Sequence, residues 1–186
     1  MAIEIAEPYL DPQLGELLAT VPEPRNALFL DRDGVINVDH GYVHEPKNTE
    51  WVPGIFELCA MARCAGYLLI VVTNQAGIAR GYYNVEQFLT YTKWMHEQFA
   101  MKGSPLAATY YCPHHADYTV DCACRKPKPG MLLSAISFFN VNLEESLLIG
   151  DKSSDLQAGA AAGLDERRLI NVKYRGFPSS LRKECA

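Results

Sequence analysis

Positive charge is scarce in this sequence. Lysine and arginine together number 17 against 22 aspartates and glutamates, a net charge of −5, and no basic run occurs. Such a balance is a poor match to the phosphate backbone of a nucleic acid, which excludes that class of partner. Long apolar runs are also missing: no stretch approaches the roughly 20 residues of a membrane span. The first residues carry Glu4 and Glu7 with no basic segment, so they do not read as a secretory signal. No internal repeat or low-complexity segment is present. Six cysteines occur, but not in a disulfide-like framework: three crowd into Cys112–Cys124 beside two histidines, a pattern that points to a metal. The expectation is a cytoplasmic protein, monomeric, with no membrane partner. At 186 residues it is one ordinary domain with a real core.

What is present is organised around Ala27–Asn37. The apolar run Ala27–Leu30 stops abruptly at Asp31-Arg32-Asp33-Gly34. Four apolar residues bounded by a turn signal read as a buried strand. Side chains two apart on a strand point the same way, so Asp31 and Asp33 project together past its C-terminal end. Taken alone, Asp-x-Asp-Gly reads better as a solvated acidic turn; the rest of the chain changes that.

Residues 1–26 form an extension with one short helix, opened by Asp11-Pro12 and carrying Leu10, Leu14, Leu17 and Leu18 on one face. After Asn37 comes a polar, aromatic loop containing Asp39, His40, Gly41 and Tyr42, of the kind that often carries binding residues. Pro53-Gly54 opens a helix that Gly66 stops. Tyr67–Val72 is the clearest buried strand, followed by Thr73-Asn74-Gln75-Ala76. Asn84 with Gln87 three residues on marks the start of a helix over Val85–Met101. Thr109–Tyr111 is a third strand and leads into the cysteine loop, then Arg125-Lys126 and a helix from Met131 to Phe139. A fourth strand, Ser146–Ile149, ends in Gly150-Asp151-Lys152. A helix over Leu156–Ala162 and a short strand Leu169–Val172 close the pattern. Strands alternating with helices mean an α/β fold, a doubly wound parallel sheet with helices on both faces.

In such a sheet the strand ends converge at one edge, where ligands bind. That brings Asp31, Asp33, Thr73, Asn74, Asp151 and Asp155 together with the basic pair after the cysteine loop. Carboxylates around a divalent cation, with a hydroxyl and a lysine opposite, make a phosphoryl-transfer site. Mg²⁺ takes oxygen ligands and bridges to phosphate. One carboxylate can attack phosphorus and the other can move the proton. Thr73 and Lys126 would stabilise the non-bridging oxygens. The blander alternatives are that Thr73-Asn74 caps the next segment and Lys126 is a solvated lysine. In the cysteine loop, Cys112, Cys122, Cys124 and one histidine, His114 or His115, make a closed structural zinc set. Zn²⁺ there would staple the loop and hold Arg125 and Lys126 at the pocket.

Asp31-Arg32-Asp33-Gly34, Thr73-Asn74, Lys126 and Gly150-Asp151 resemble the four motifs of the haloacid dehalogenase (HAD) superfamily phosphatases, over Ala27–Val172. Within it, Val38–Glu45, Thr73–Gly81, Tyr110–His115 and Cys124–Pro127 are similar to the heptose bisphosphate phosphatases. The resemblance implies a HAD-like Rossmannoid domain over 27–176, containing the zinc loop 112–124 and no large cap domain, with a tail over 177–186. It implies Asp31 as nucleophile, Asp33 as general acid/base, and Thr73 and Lys126 as phosphate stabilisers. Mg²⁺ would be held by Asp31, the Asp33 backbone and Asp151. Zn²⁺ would be held by Cys112, His114, Cys122 and Cys124. The substrate, a small phosphorylated sugar, would meet Asp39, His40, Gly41, Tyr42, Asn74, Gln75, Ala76, Arg125 and Lys152. Asp155 would support the site.

The loop between the two halves of the zinc set is short for this branch and leans towards the histidinol-phosphate phosphatases, the alternative substrate class. A non-catalytic phospho-acceptor is the remaining alternative. The short run after Val172 suggests an open sheet edge, which the leader helix could cover.

Overall fold

Ala27–Leu30, apolar and fully buried, forms a strand at the centre of the sheet. The computed structural model describes residues 6–119 and 121–175. Its elements are β1 (Tyr9–Leu10), α1 (Leu14–Ala19), β2 (Ala27–Leu30), α2 (Ile55–Cys64), β3 (Leu68–Asn74), α3 (Ala76–Ala79) and α4 (Val85–Met101). They continue with β4 (Ala108–Cys112), α5 (Gly130–Phe139), β5 (Leu147–Gly150), α6 (Ser153–Ala161), β6 (Leu169–Asn171) and α7 (Val172–Arg175). Strand order is β1-β4-β3-β2-β5-β6. The pairs from β4 across to β6 are parallel, with Leu28 opposite Leu69 and Leu147.

Alternation along each strand splits the core into two layers. Ala27, Phe29, Ile70 and Leu148 face one side with Met131 and Phe139 of α5 and Ala158 of α6. Leu28, Leu30, Val71 and Ile149 face the other with Leu58 of α2 and Met95 and Phe99 of α4. Helices therefore cover both faces, as the alternating pattern implies. Among the described residues no separate cap domain interrupts this series, and no helix is long and apolar enough to cross a membrane.

The leader departs from its sequence reading. Leu10 lies in β1, which adds an antiparallel strand at the β4 edge, Tyr9 opposite Thr109. The helix begins at Leu14, because Asp11 is engaged elsewhere. Its N–H reaches the Ala107 carbonyl at 3.1 Å, and its carboxylate bonds buried His96. The leader thus covers the edge opposite β6. β3 also runs on through Thr73 and Asn74, which pair with Tyr111 and Cys112. Glu4 and the tail over 177–186 lie outside the described residues.

Candidate active site

Asp31 follows directly on β2, its N–H bonded to the Ile149 carbonyl of β5 at 3.0 Å. The chain then turns at Gly34, whose φ is +91°. A Cβ there would lie 2.5 Å from Asp151 Oδ2, so only glycine lets this turn close against the end of β5. Asp31 is 5% exposed and Lys126 4%. Lys126 Nζ donates to Asp31 Oδ1 at 2.8 Å and to the Val72 carbonyl at 2.7 Å, and pairs with Asp155 Oδ1 at 2.7 Å. Burial pushes the Asp31 carboxyl up to about 7 against the pull of Lys126, with Asp155 and Asp33 pushing the same way. Burial works against the charge on Lys126, but Asp31 and Asp155 outweigh it and leave its pKa raised.

Ligand atoms of Asp31, Asp151 and Asp155 lie within 4.8 Å of one another. Asp151 Oδ1 is buried and unpartnered among the described residues. A buried carboxylate oxygen without a donor is costly, and an all-oxygen set of this kind suits a hard divalent cation such as Mg²⁺. Asp155 is already committed: besides Lys126, its Oδ2 accepts the Lys152 N–H at 2.9 Å.

Asp33 is held from three directions. Arg32 Nη2 donates to both carboxylate oxygens at 2.9 Å, Asn37 Nδ2 to Oδ1 at 3.0 Å, and Gln75 Nε2 to Oδ2 at 3.2 Å. Arg32 is fully buried, donates to the Val43 carbonyl at 2.6 Å and lies 5.2 Å from the Tyr91 ring centroid. Neither its burial nor its grip on Asp33 was legible from its place between two aspartates.

Asp31, Asp33, Thr73 and Lys126 border one cavity of about 580 Å³. Asp39, Gly41 and Tyr42 line it from the loop after β2, and Asn74, Gln75 and Ala76 from the end of β3. Arg125 and Lys152 also line it, with Lys152 Nζ 3.2 Å from Asp39 Oδ2. His40 is not brought to this cavity; its Nε2 meets Glu50 Oε2 at 2.8 Å on the surface. Asn74 grips the backbone of Lys126, donating to its carbonyl at 3.1 Å and accepting its N–H at 3.0 Å. Arg125 Nη1 donates to the His114 carbonyl at 2.9 Å. Tyr83 lines the cavity without having been singled out from sequence. Its position before the N-cap Asn84, with Phe88 four residues into the helix, signals only a hydrophobic staple.

Cys112, the last residue of β4, gathers with His114, Cys122 and Cys124 in one cluster. Cys112 Sγ lies 3.7 Å from Cys122 Sγ and 3.6 Å from His114 Nδ1. Tetrahedral zinc with ordinary bond lengths implies edges of about 3.7 Å and 3.5 Å for such pairs. Cys124 Sγ is closer, 3.0 Å from Cys112 Sγ and 3.3 Å from His114 Nδ1. The hydrogen bond between the two sulfurs lowers the Cys124 pKa to about 5, as the accepting partner, and raises that of Cys112. A thiolate is thus favoured in the cluster, as metal ligation needs. His115 turns away, its Nε2 accepting from Arg80 Nη2 at 3.1 Å.

The family model described as HAD-hyrolase-like matches residues 123–166. Fold, match and carboxylate–lysine cluster together define a HAD-like phosphatase, a phosphoric monoester hydrolase. The chain is 50% identical over 151 residues to the D-glycero-beta-D-manno-heptose-1,7-bisphosphate 7-phosphatase of Vibrio cholerae, covering 78% of this chain and 81% of that one. It is 51% identical over 149 residues to the alpha-anomer enzyme of Burkholderia mallei, covering 77% and 79%. It therefore belongs to the D-glycero-D-manno-heptose-1,7-bisphosphate 7-phosphatase family. A crystal structure of D,D-heptose 1.7-bisphosphate phosphatase from B. bronchiseptica, complexed with magnesium and phosphate, superposes with a TM-score of 0.70 at 32% identity. It covers 83% of this chain and 89% of that one.

Proposed function

We propose that this protein hydrolyses the C7 phosphate of D-glycero-D-manno-heptose 1,7-bisphosphate through a phosphorylated Asp31. The observation that carries the reading is the meeting of Asp31, Asp33, Thr73 and Lys126 at one cavity that is also lined by the Asp39–Tyr42 loop. An Asp31 carboxylate oxygen attacks phosphorus, and the P–O bond to C7 breaks with its electron pair leaving on the sugar oxygen. Asp33 supplies that oxygen's proton. Water then attacks the acyl phosphate, Asp33 takes the water proton, phosphate departs and the Asp31 carboxylate is restored.

Thr73 and Lys126 hold the non-bridging oxygens, where transition-state charge gathers. Asp31 and Asp151, with the backbone of Asp33, would hold Mg²⁺, which supplies compensating charge for the nucleophile and the phosphoryl oxygens. The unpartnered Asp151 Oδ1 supports that set. Cys112, His114, Cys122 and Cys124 would hold Zn²⁺ as a closed structural site. Asp39, Gly41, Tyr42, Ala76, Arg125 and Lys152 face the sugar and its second phosphate.

Steady-state phosphate release from both anomers, with and without Mg²⁺, tests the reading. Release of one phosphate per sugar that stops on chelation is expected. Turnover of histidinol phosphate but of neither anomer would overturn the substrate assignment.

A further inference from the structure

Tyr83 is 3% exposed, and its hydroxyl donates to Gln75 Oε1 at 2.6 Å. An amide has one accepting end and one donating end. With Oε1 held by Tyr83, the Nε2 end faces inward, donating to Asp33 Oδ2 at 3.2 Å and Thr73 Oγ1 at 2.8 Å. Turned the other way, Gln75 would set a carbonyl oxygen against the Asp33 carboxylate. The tyrosine itself is tightly confined. Its ring stacks on His44 with centroids 4.4 Å apart and packs with Phe88 and Tyr111. A Cβ at Gly77 would come within 2.3 Å of Tyr83 Cε1, so the absence of a side chain there makes the approach possible.

We propose that Tyr83 is a positioning residue for the phosphoryl transfer: acting through Gln75, it orients the Asp33 carboxyl that serves the leaving oxygen. The inference rests on the phosphatase reading above and gives Gln75 a task other than touching the sugar. It predicts a loss concentrated where a proton must be delivered to the leaving oxygen. An alkyl oxygen needs that proton, whereas p-nitrophenolate leaves readily without it.

The test compares kcat/KM, which reports the steps through first P–O cleavage, for the heptose bisphosphate and for p-nitrophenyl phosphate. Tyr83→Phe should lower it about tenfold for the sugar ester, the scale of one hydrogen bond, and less than about twofold for the aryl ester. Gln75→Leu should show the same contrast more strongly, and adding Tyr83→Phe to it should cost little more, since the two act through one link. An equal loss on both esters, a rise in KM alone, or no loss in either variant would overturn the inference. If the wild-type protein fails on the heptose ester but cleaves glycerol 1-phosphate, only the substrate assignment falls. The same alkyl–aryl contrast, read on glycerol 1-phosphate, then decides the role of Tyr83.

Discussion

Asn74 and Lys126 are joined by two complementary hydrogen bonds, side chain to backbone, across 52 residues of sequence. The pair ties the loop that returns from the cysteine cluster to the end of β3. Asn74→Ala removes both bonds and loosens the backbone that carries the active-site ammonium. Misplacement of a catalytic group by about 1 Å costs on the order of 10²-fold. A kcat 10- to 100-fold lower, by that measure, with KM within about twofold is the expected outcome in steady-state assays. A sugar contact by Asn74 would instead appear mainly in KM.

Asp31→Asn deletes the proposed nucleophile and should abolish phosphate release. Asp33→Asn keeps Asp31 but removes the proposed proton carrier, with an expected loss of about 10²- to 10⁴-fold. Denaturing mass spectrometry of the Asp33→Asn protein after brief exposure to substrate should reveal a phosphorylated chain. The Asp31→Asn protein should show none. Full activity in the Asp31 variant would sink the covalent mechanism.

The two proposed metal sites should separate by their effects. Elemental analysis of the purified protein should give one zinc per chain, lost in Cys124→Ser. Removing a structural zinc that contributes about 3 kcal/mol would lower Tm by roughly 10 °C in a domain this size. Mild chelation that leaves zinc in place should stop turnover without that shift, and added Mg²⁺ should restore it. Unchanged Tm in a zinc-free Cys124→Ser protein would contradict the stapling role.

Acid sensitivity of folding should originate partly at His96. Its Nδ1–H donates to Asp11 Oδ2 at 2.9 Å and its Nε2 accepts from Thr109 Oγ1 at 2.9 Å. Burial lowers its pKa below the ordinary 6.5, although Asp11 pulls upward. The neutral ring is therefore the one the fold prefers. Below about 6.5 the unfolded chain binds a proton that the folded one resists, so stability falls as pH drops through that value. Asp11 acts in the same direction at lower pH. Burial raises its pKa, but the hydrogen bond from His96, the Gln13 N–H and the attraction of His96 together outweigh this, so the fold prefers its anion and stability is lost as pH falls through the carboxylate range. Denaturant melts from pH 7.5 to 5 should show the decline, and His96→Gln should flatten it.

Sequence pattern was informative wherever an apolar run ended in a polar cluster. β2, α2 and α4 fall where the runs and caps indicate, and Asp31 meets Thr73 at the cavity and Asp151 in the carboxylate cluster because parallel strand ends must share an edge. β1 was not legible, since two residues carry no period; it exists because β4 offers an unpaired edge and His96 draws in Asp11. The roles of Arg32, Asn74 and Tyr83 were hidden for a related reason. Each depends on a partner brought close only by folding, and neither spacing nor residue type announces it.

The acceptor that anchors the Lys126 ammonium, the Val72 carbonyl, belongs to a strand flanked by sheet on both sides. Asp31 and Thr73 likewise grow out of the innermost strands, whereas Asp39 to Tyr42 ride on a surface turn. Warming should therefore blur discrimination among sugars before it blunts bond cleavage, so the enzyme would grow promiscuous on its way to inactivation.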